Sequence, residues 1–362
     1  MRRYWDRLFR LDDELSLWIE EKDLGTEKLI SYRNTSYRVK MPKTMEQTIT
    51  LRLRGLGKTR FGRAGDLYLH LWLNAGADVR KNLWLSESSA QHGASKKLFT
   101  GEQMITVTIP PKSRHDLTLR LRGVGSGPPY SPLAPALSQV KRGNLLVTLC
   151  VYSDMITPRY GSFASLSIED MALEGWVYRT FDEVTQKLGT AILHCNPIQP
   201  DVIAERYNTG QWRSIFELLR AHMNLTQVAI ELSIAADLPM PGRCECKPAG
   251  DPQNPQGVKY CITIGERFLD NPFAITAILA HELCHVVYSE KLERKLKPGE
   301  LRFYTNKAML QIEHTVDLLV FMFKIGEFQL RVARDSRLRL GYFSQDVFER
   351  MQVIVAKRVQ ML

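Results

Sequence analysis

"AILAHELCHVVYSEKL", residues 277–292, decides how the second half of this 362-residue chain is read. Just upstream, Asn271 suits a helix N-cap and Pro272 the first helical position, so the spacing predicts a helix starting there. Residues four apart share a helix face. His281 and His285 therefore present both imidazoles to one point, within reach of a single zinc ion. Glu282 is angled beside that face, where it suits a base taking a proton from metal-bound water rather than a ligand. The competing reading is a buried helix that holds two hydrogen-bonded histidines for structural reasons. A third ligand separates the two.

A metzincin would carry Gly and His three and six residues after His285; Tyr288 and Lys291 stand there, which excludes that class. Downstream, "TNKAMLQIEHTVDLLVFMFKIGEF" (305–328) reads as a second helix, capped at Thr305 or Asn306 and stopped at Gly326. It carries Glu313 and, one turn later on the same face, Asp317. Glu313 would complete a His-His-Glu set, and Asp317 would accept the other ring N–H of a ligating histidine and fix its tautomer. His314 is a rival ligand, but it points about 100° away around the helix, and Glu313 is preferred. The 27 residues between His285 and Glu313 must loop back to bring the helices together. Cys284 falls on a different face from the histidines and reads as core. Tyr304, Tyr342 and Arg350 are candidates for stabilising an oxyanion, with none singled out.

Around this pair, helices are predicted over 167–187 and 210–223 and strands over 227–235 and 258–265. Between the strands, "PMPGRCECKPAGDPQNPQG" (239–257) reads as a Pro/Gly loop. Its Cys244 and Cys246 are spaced too closely for the usual zinc pair and read as ordinary thiols. The linked parts "HELCH", "EHTVDLLVFMFKIG" and a Gly-Tyr turn into a last helix, "LGYFSQDVFERMQVIVAKR" (340–358), resemble the gluzincin metallopeptidases. They are most similar to the small bacterial minigluzincins, over about residues 205–358. The resemblance implies a peptidase with Zn2+ on His281, His285 and Glu313, Glu282 as general base and Asp317 behind a ligand. It also implies that "VKYCITIGERFL" (258–269) is an edge strand along which substrate backbone lies.

The first half repeats itself. "YRVKMPKTMEQTITLRLRGLGKTRFGRAGDLYLHLWLN" (37–74) is echoed by "ITVTIPPKSRHDLTLRLRGVG" (105–125), which resumes as "KRGNLLVTLCVYS" (141–153) after a Pro/Ser/Ala-rich insertion at 126–139. Alternation predicts strands: Ile49, Leu51 and Leu53 face one way, Thr50, Arg52 and Arg54 the other. Gly55, Gly57, Gly123 and Gly125 are placed where chain reversals call for positive φ. The paired pattern resembles the tandem C-terminal β-domains of DnaJ-type co-chaperones, on Met41-Pro42, Leu51–Gly57 and "RAGDLYL" in one copy. The other copy carries Ile109-Pro110, Leu119–Gly125 and "RGNLLV", with Asn144 in place of the usual Asp. Neither a His-Pro-Asp tripeptide nor Cys-x-x-Cys-x-Gly-x-Gly repeats occur, so recruitment of an Hsp70 through a J-domain is not implied. What the resemblance implies is a pair of β-sandwiches that bind extended peptide, or else a structural or dimerising module.

The basic excess behind the net charge of +10 sits in this half: residues 28–150 hold about 20 Lys and Arg against about 6 Asp and Glu, while residues 151–362 hold about 24 against about 25 and are nearly neutral. Such an excess suits nucleic acid or acidic polypeptide, or a solvated strand face. Nucleic acid is the less favoured partner, because Arg52, Arg54, Arg120 and Arg122 have no aromatics interleaved on their own strands. Residues 1–22 pattern as an amphipathic helix through Trp5, Leu8, Phe9, Leu15 and Trp18, with too many acids for membrane contact. The six scattered cysteines do not form a secreted disulfide framework. No secretory signal or membrane span is read, so the expected location is cytoplasmic.

The expected fold is therefore α+β in two domains, with an N-terminal extension over 1–27. A tandem β-sandwich over 28–153 precedes an α+β zincin domain over 154–362. The expected cofactor is Zn2+. The expected partner is a protein or peptide substrate, with a second copy of the chain a further candidate and no membrane.

Overall fold

The computed structural model describes residues 12–60, 63–128, 141–154, 168–248, 258–293, 306–334 and 344–362. The chain divides into two compact units. One comprises Met1–Leu83, Thr100–Gln103 and Asp116–Leu149; the other comprises Trp84–Phe99, Met104–His115 and Cys150–Leu362.

The first unit is built from strands. β1 (Asp13–Ile19), a hairpin of β2 (Glu27–Tyr32) and β3 (Thr35–Lys40), β4 (Thr48–Leu53), the short pair β5 (Thr59–Arg60) and β6 (Arg63–Ala64), and β7 (Leu67–Leu73) follow in order. β7 is central, with β1 parallel on one side and β4 antiparallel on the other. The sequence explains the placing. In "LYLHLWL" every second residue is Leu, and Leu67, Leu69, Leu71 and Leu73 are all buried, with Tyr68, His70 and Trp72 turned outward and half-buried. Ile30, Val39 and Met41 from the hairpin close the core against Ile19, Leu69, Leu71 and Leu73, giving two layers. Ile49, Leu51 and Leu53 pack on this core while Thr50 and Arg52 are exposed, as the alternation requires.

The repeat is more extensive than its sequence signature. β8 (Val79–Ser86), β9 (Ala94–Phe99), β10 (Met104–Ile109), β11 (Thr118–Leu121) and β12 (Leu145–Tyr152) retrace the first copy, with a short helix α1 (Glu87–His92) after β8. β9 and β10 form the antiparallel hairpin, and β12 is central between β11 and β8. The sequence match began only at β3 and β10; the earlier strands share topology without shared residues.

Two expectations are corrected here. Residues 13–19, read as helix, form a strand. Leu15, Leu17 and Ile19 alternate with Glu14, Ser16 and Trp18, and that period of two wins once β7 supplies a partner; Trp5, Leu8 and Phe9 lie outside the described residues. Gly55 and Gly123 do take positive φ, 72° and 67°, but Gly57 and Gly125 do not. At Gly125 the constraint is space, since a Cβ would lie 2.6 Å from the Asn144 carbonyl oxygen. Asp66 accepts the Gly55 N–H (2.9 Å) and Arg52 Nε–H (2.6 Å) and so ties the turn to the closing strand. At Asn144 the polarity is reversed: Asn144 donates its backbone and side-chain N–H groups to Asp78.

The second unit carries most of the helices: α2 (Ile168–Leu188), α3 (Pro200–Asn208), α4 (Arg213–His222), α5 (Pro272–Val287), α6 (Asn306–Met322), α7 (Gly326–Ala333) and α8 (Gln345–Gln360). A sheet of β13 (Ile230–Ala235), β14 (Gly242–Pro248) and β15 (Val258–Gly265) has β15 in the middle, parallel to β13 and antiparallel to β14. β15 is thus not the edge strand expected from sequence; β14 is an outer strand instead. It was hidden in a Pro/Gly/Cys stretch read as loop, yet its alternation is regular. Cys244 and Cys246 stand opposite Ile262 and Tyr260, while Arg243, Glu245 and Lys247 lie on the other face, linked by ion pairs. Gly326 does not stop a helix. α6 ends at Met322, Lys324 reverses the chain with φ 56°, and Gly326 opens α7, where a Cβ would meet the Phe321 ring at 2.2 Å. None of the described helices is long and apolar enough to cross a membrane.

Candidate metal centre

α5 is buried almost throughout and packs against β14, β15 and helices α3, α4, α6 and α7. Asn271 caps it as expected, its side chain accepting the N–H groups of Phe273 and Ala274, and Pro272 follows. Of its sixteen residues, only His281 and His285 are not buried. A helix buried all round has no amphipathic stripe, so the two polar openings on it mark a site rather than a solvated face.

α6 lies against α5 and delivers the carboxylates. His281 Nδ1–H donates to Asp317 Oδ1 at 2.8 Å, leaving Nε2 to point the other way. There His281 Nε2, His285 Nε2 and Glu313 Oε2 converge: the nitrogens are 3.2 Å apart and stand 3.3 and 3.2 Å from the oxygen. Among the described residues this is the one group of three or more His, Cys, Asp or Glu side chains arranged to hold a metal. Glu313 Oε2 is buried yet forms no hydrogen bond of acceptable geometry despite both nearby nitrogens. The three atoms lie close together at one place. Ligands about 2.0–2.1 Å from a tetrahedral zinc lie about 3.3–3.4 Å apart, which is the spacing found. A His-His-carboxylate set with a carboxylate behind one imidazole fits that ion.

The electrostatics agree with a cation site. Burial opposes charge on His281, but Asp317, joined by Glu313 and Glu282, outweighs it and raises its pKa well above the ordinary value. Burial pushes Glu313 upward, but the two imidazoles prevail and hold it down at about 2. A protonated imidazole here occupies the role a metal would take. Glu282, 6 % exposed, has a pKa raised chiefly by burial, with the two histidines pulling it back. Its neighbour is the backbone of β14 at Gly242, where a Cβ would sit 2.6 Å from Glu282 Oε1.

The structure therefore brings together His281, Glu282, His285, Glu313 and Asp317. It does not bring His314 in; that ring packs edge-on against Trp176 at 6.0 Å. Cys284 is wholly buried in the core. Tyr304 and Tyr342 lie outside the described residues, and Arg350 does not line the cavity beside the site. That cavity, about 300 Å³, is bounded by Cys244, Cys246, Tyr260, Tyr288, Met309 and Ile312 together with His285 and Glu313. The sequence reading missed these walls. The available signal was spacing: Tyr288 is three residues beyond His285, and Met309 and Ile312 are four and one before Glu313.

Residues 12–153 match the family model of the DnaJ C terminal domain. That match covers both copies of the strand repeat and ends before the helices that carry the metal centre. No match is found among the curated proteins.

Proposed function

We propose that this protein is a zinc-dependent peptidase preceded by a polypeptide-binding β-module. The convergence of His281 Nε2, His285 Nε2 and Glu313 Oε2 beside a buried Glu282 carries the reading. A bound zinc ion would supply an acidified water and polarise a scissile carbonyl. Glu282, whose pKa is raised by burial, would be the group beside the metal that accepts a proton and returns it to a leaving amine. Asp317 keeps the His281 tautomer fixed with Nε2 facing inward. Outer strand β14 passes Glu282 at Gly242 and offers backbone groups to an extended substrate. The DnaJ-like strands would hold unfolded or extended protein for this site, which fits their match to a co-chaperone domain. A scaffold with a purely structural zinc site has no use for a buried carboxylate beside the ligands, so Glu282 favours the peptidase.

The test is metal content and cleavage of casein or denatured protein by wild type and Glu282→Gln side by side. The expected result is about one zinc per chain in both, with cleavage by wild type alone. Zinc in both without cleavage in either points to the scaffold. Absence of zinc in both returns His281 and His285 to the core.

A further inference from the structure

The cavity beside His285 and Glu313 has walls whose chemistry selects its occupant. On β14, Gly242 faces Glu282, and the same face of the strand next presents Cys244 and then Cys246. Opposite them stand Met309 and Ile312 of α6, with Tyr288 beyond the end of α5. Tyr260 is tethered, its hydroxyl donating to Glu290 Oε1 at 2.7 Å and accepting from Ser289 Oγ at 3.2 Å. The thiols are not extra ligands, since among the described residues only His281, His285 and Glu313 gather closely enough to hold an ion. They are small, polarisable wall residues. Among its described lining residues the acids are Glu293 and Glu313, and no Lys or Arg is present. A substrate carboxylate would meet those two acids and, among the described lining residues, no Lys or Arg.

We propose that this cavity is a side-chain subsite taking an uncharged, apolar substrate residue next to the scissile bond, with Cys244 and Cys246 setting its depth. This rests on the peptidase reading above, but it is measurable without turnover. Iodoacetamide labelling of the zinc-loaded full chain, followed by peptide mapping, reports occupancy at exposed Cys246. Cys261, on the opposite face of the sheet, serves as internal reference. Acetyl-Leu-Leu-amide at about twice its Kd is expected to slow Cys246 labelling about threefold, while acetyl-Asp-Asp-amide leaves it unchanged. In cleavage assays, Cys246→Leu should lower the Leu-over-Ala ratio of kcat/KM about tenfold by filling the cavity. Protection by the leucine peptide in a chain that hydrolyses nothing upholds the subsite and removes the peptidase. Hydrolysis with no protection, and with Leu, Ala and Asp peptides cut alike, removes the subsite and leaves the peptidase standing.

Discussion

Gly242→Ala tests the join between β14 and the helix that carries the site. Gly242 does not have a positive φ, so what keeps it glycine is room. An alanine Cβ would stand 2.5 Å from Ile278 Cγ2, 2.6 Å from Glu282 Oε1 and 2.9 Å from Glu282 Cγ, where ordinary contact begins at 3.4 Å. Strand or side chains must give way by about 0.9 Å. Ile278 is 3 % exposed and α5 is buried along almost its whole length, so the displacement meets packed neighbours. Overpacking of this kind costs about 1–3 kcal/mol, or roughly 2–4 °C in Tm for each kcal/mol in a unit of this size. Whatever relaxation occurs through Glu282 moves the proposed base, and a misplacement of about 1 Å costs on the order of a hundredfold in rate. The proposed zinc ligands are not among the atoms of this contact, so metal content should hold. Thermal unfolding, metal analysis and cleavage on one preparation check all three. An alanine variant that melts and cleaves as wild type would refute the packing of β14 against Glu282 and with it the placement of the base.

Asp317 is fully buried, and its removal in Asp317→Ala strands the His281 imidazole; the metal-free protein should lose about 3–5 kcal/mol. Zinc affinity, read by chelator competition, should fall about 10–100-fold. In the metal-free protein the raised His281 pKa makes its contribution to stability complete below 6.5 and lost as pH climbs through the raised value. Glu313 has the opposite sign: its contribution is present above 4.5 and lost as pH falls toward about 2. Urea titrations across pH, with and without Glu313→Gln, separate the two. Because zinc must displace the proton on His281, its affinity should rise with pH through the neutral range, which titration calorimetry can follow. In the β-module, Asp66→Ala leaves the Gly55 N–H and the Arg52 guanidinium to water and should lower the urea midpoint only slightly, at unchanged m-value.

The sequence by itself determined whatever is local. His281 and His285 share a face because a helix repeats every 3.6 residues. Asn271-Pro272 starts that helix by capping, and Leu67 to Leu73 face inward because a strand alternates. Even the partnership of Glu313 with Asp317 follows from one turn of α6. The tertiary structure decided everything that depends on a neighbour. Residues 13–19 carry both a helical and a strand pattern, and only pairing with β7 chooses between them. β14 reads as loop by composition and becomes a strand because β15 offers it a ladder of hydrogen bonds. Gly242, Gly125 and Gly326 look like turn residues, yet each is a close approach of backbone to another element. The walls of the cavity come from β14, β15 and two helices separated by tens of residues, which no single periodicity connects. Propensity and spacing act over a turn or a few strand residues, whereas a site's shape is set by packing, which is long-range and visible only once the chain has closed.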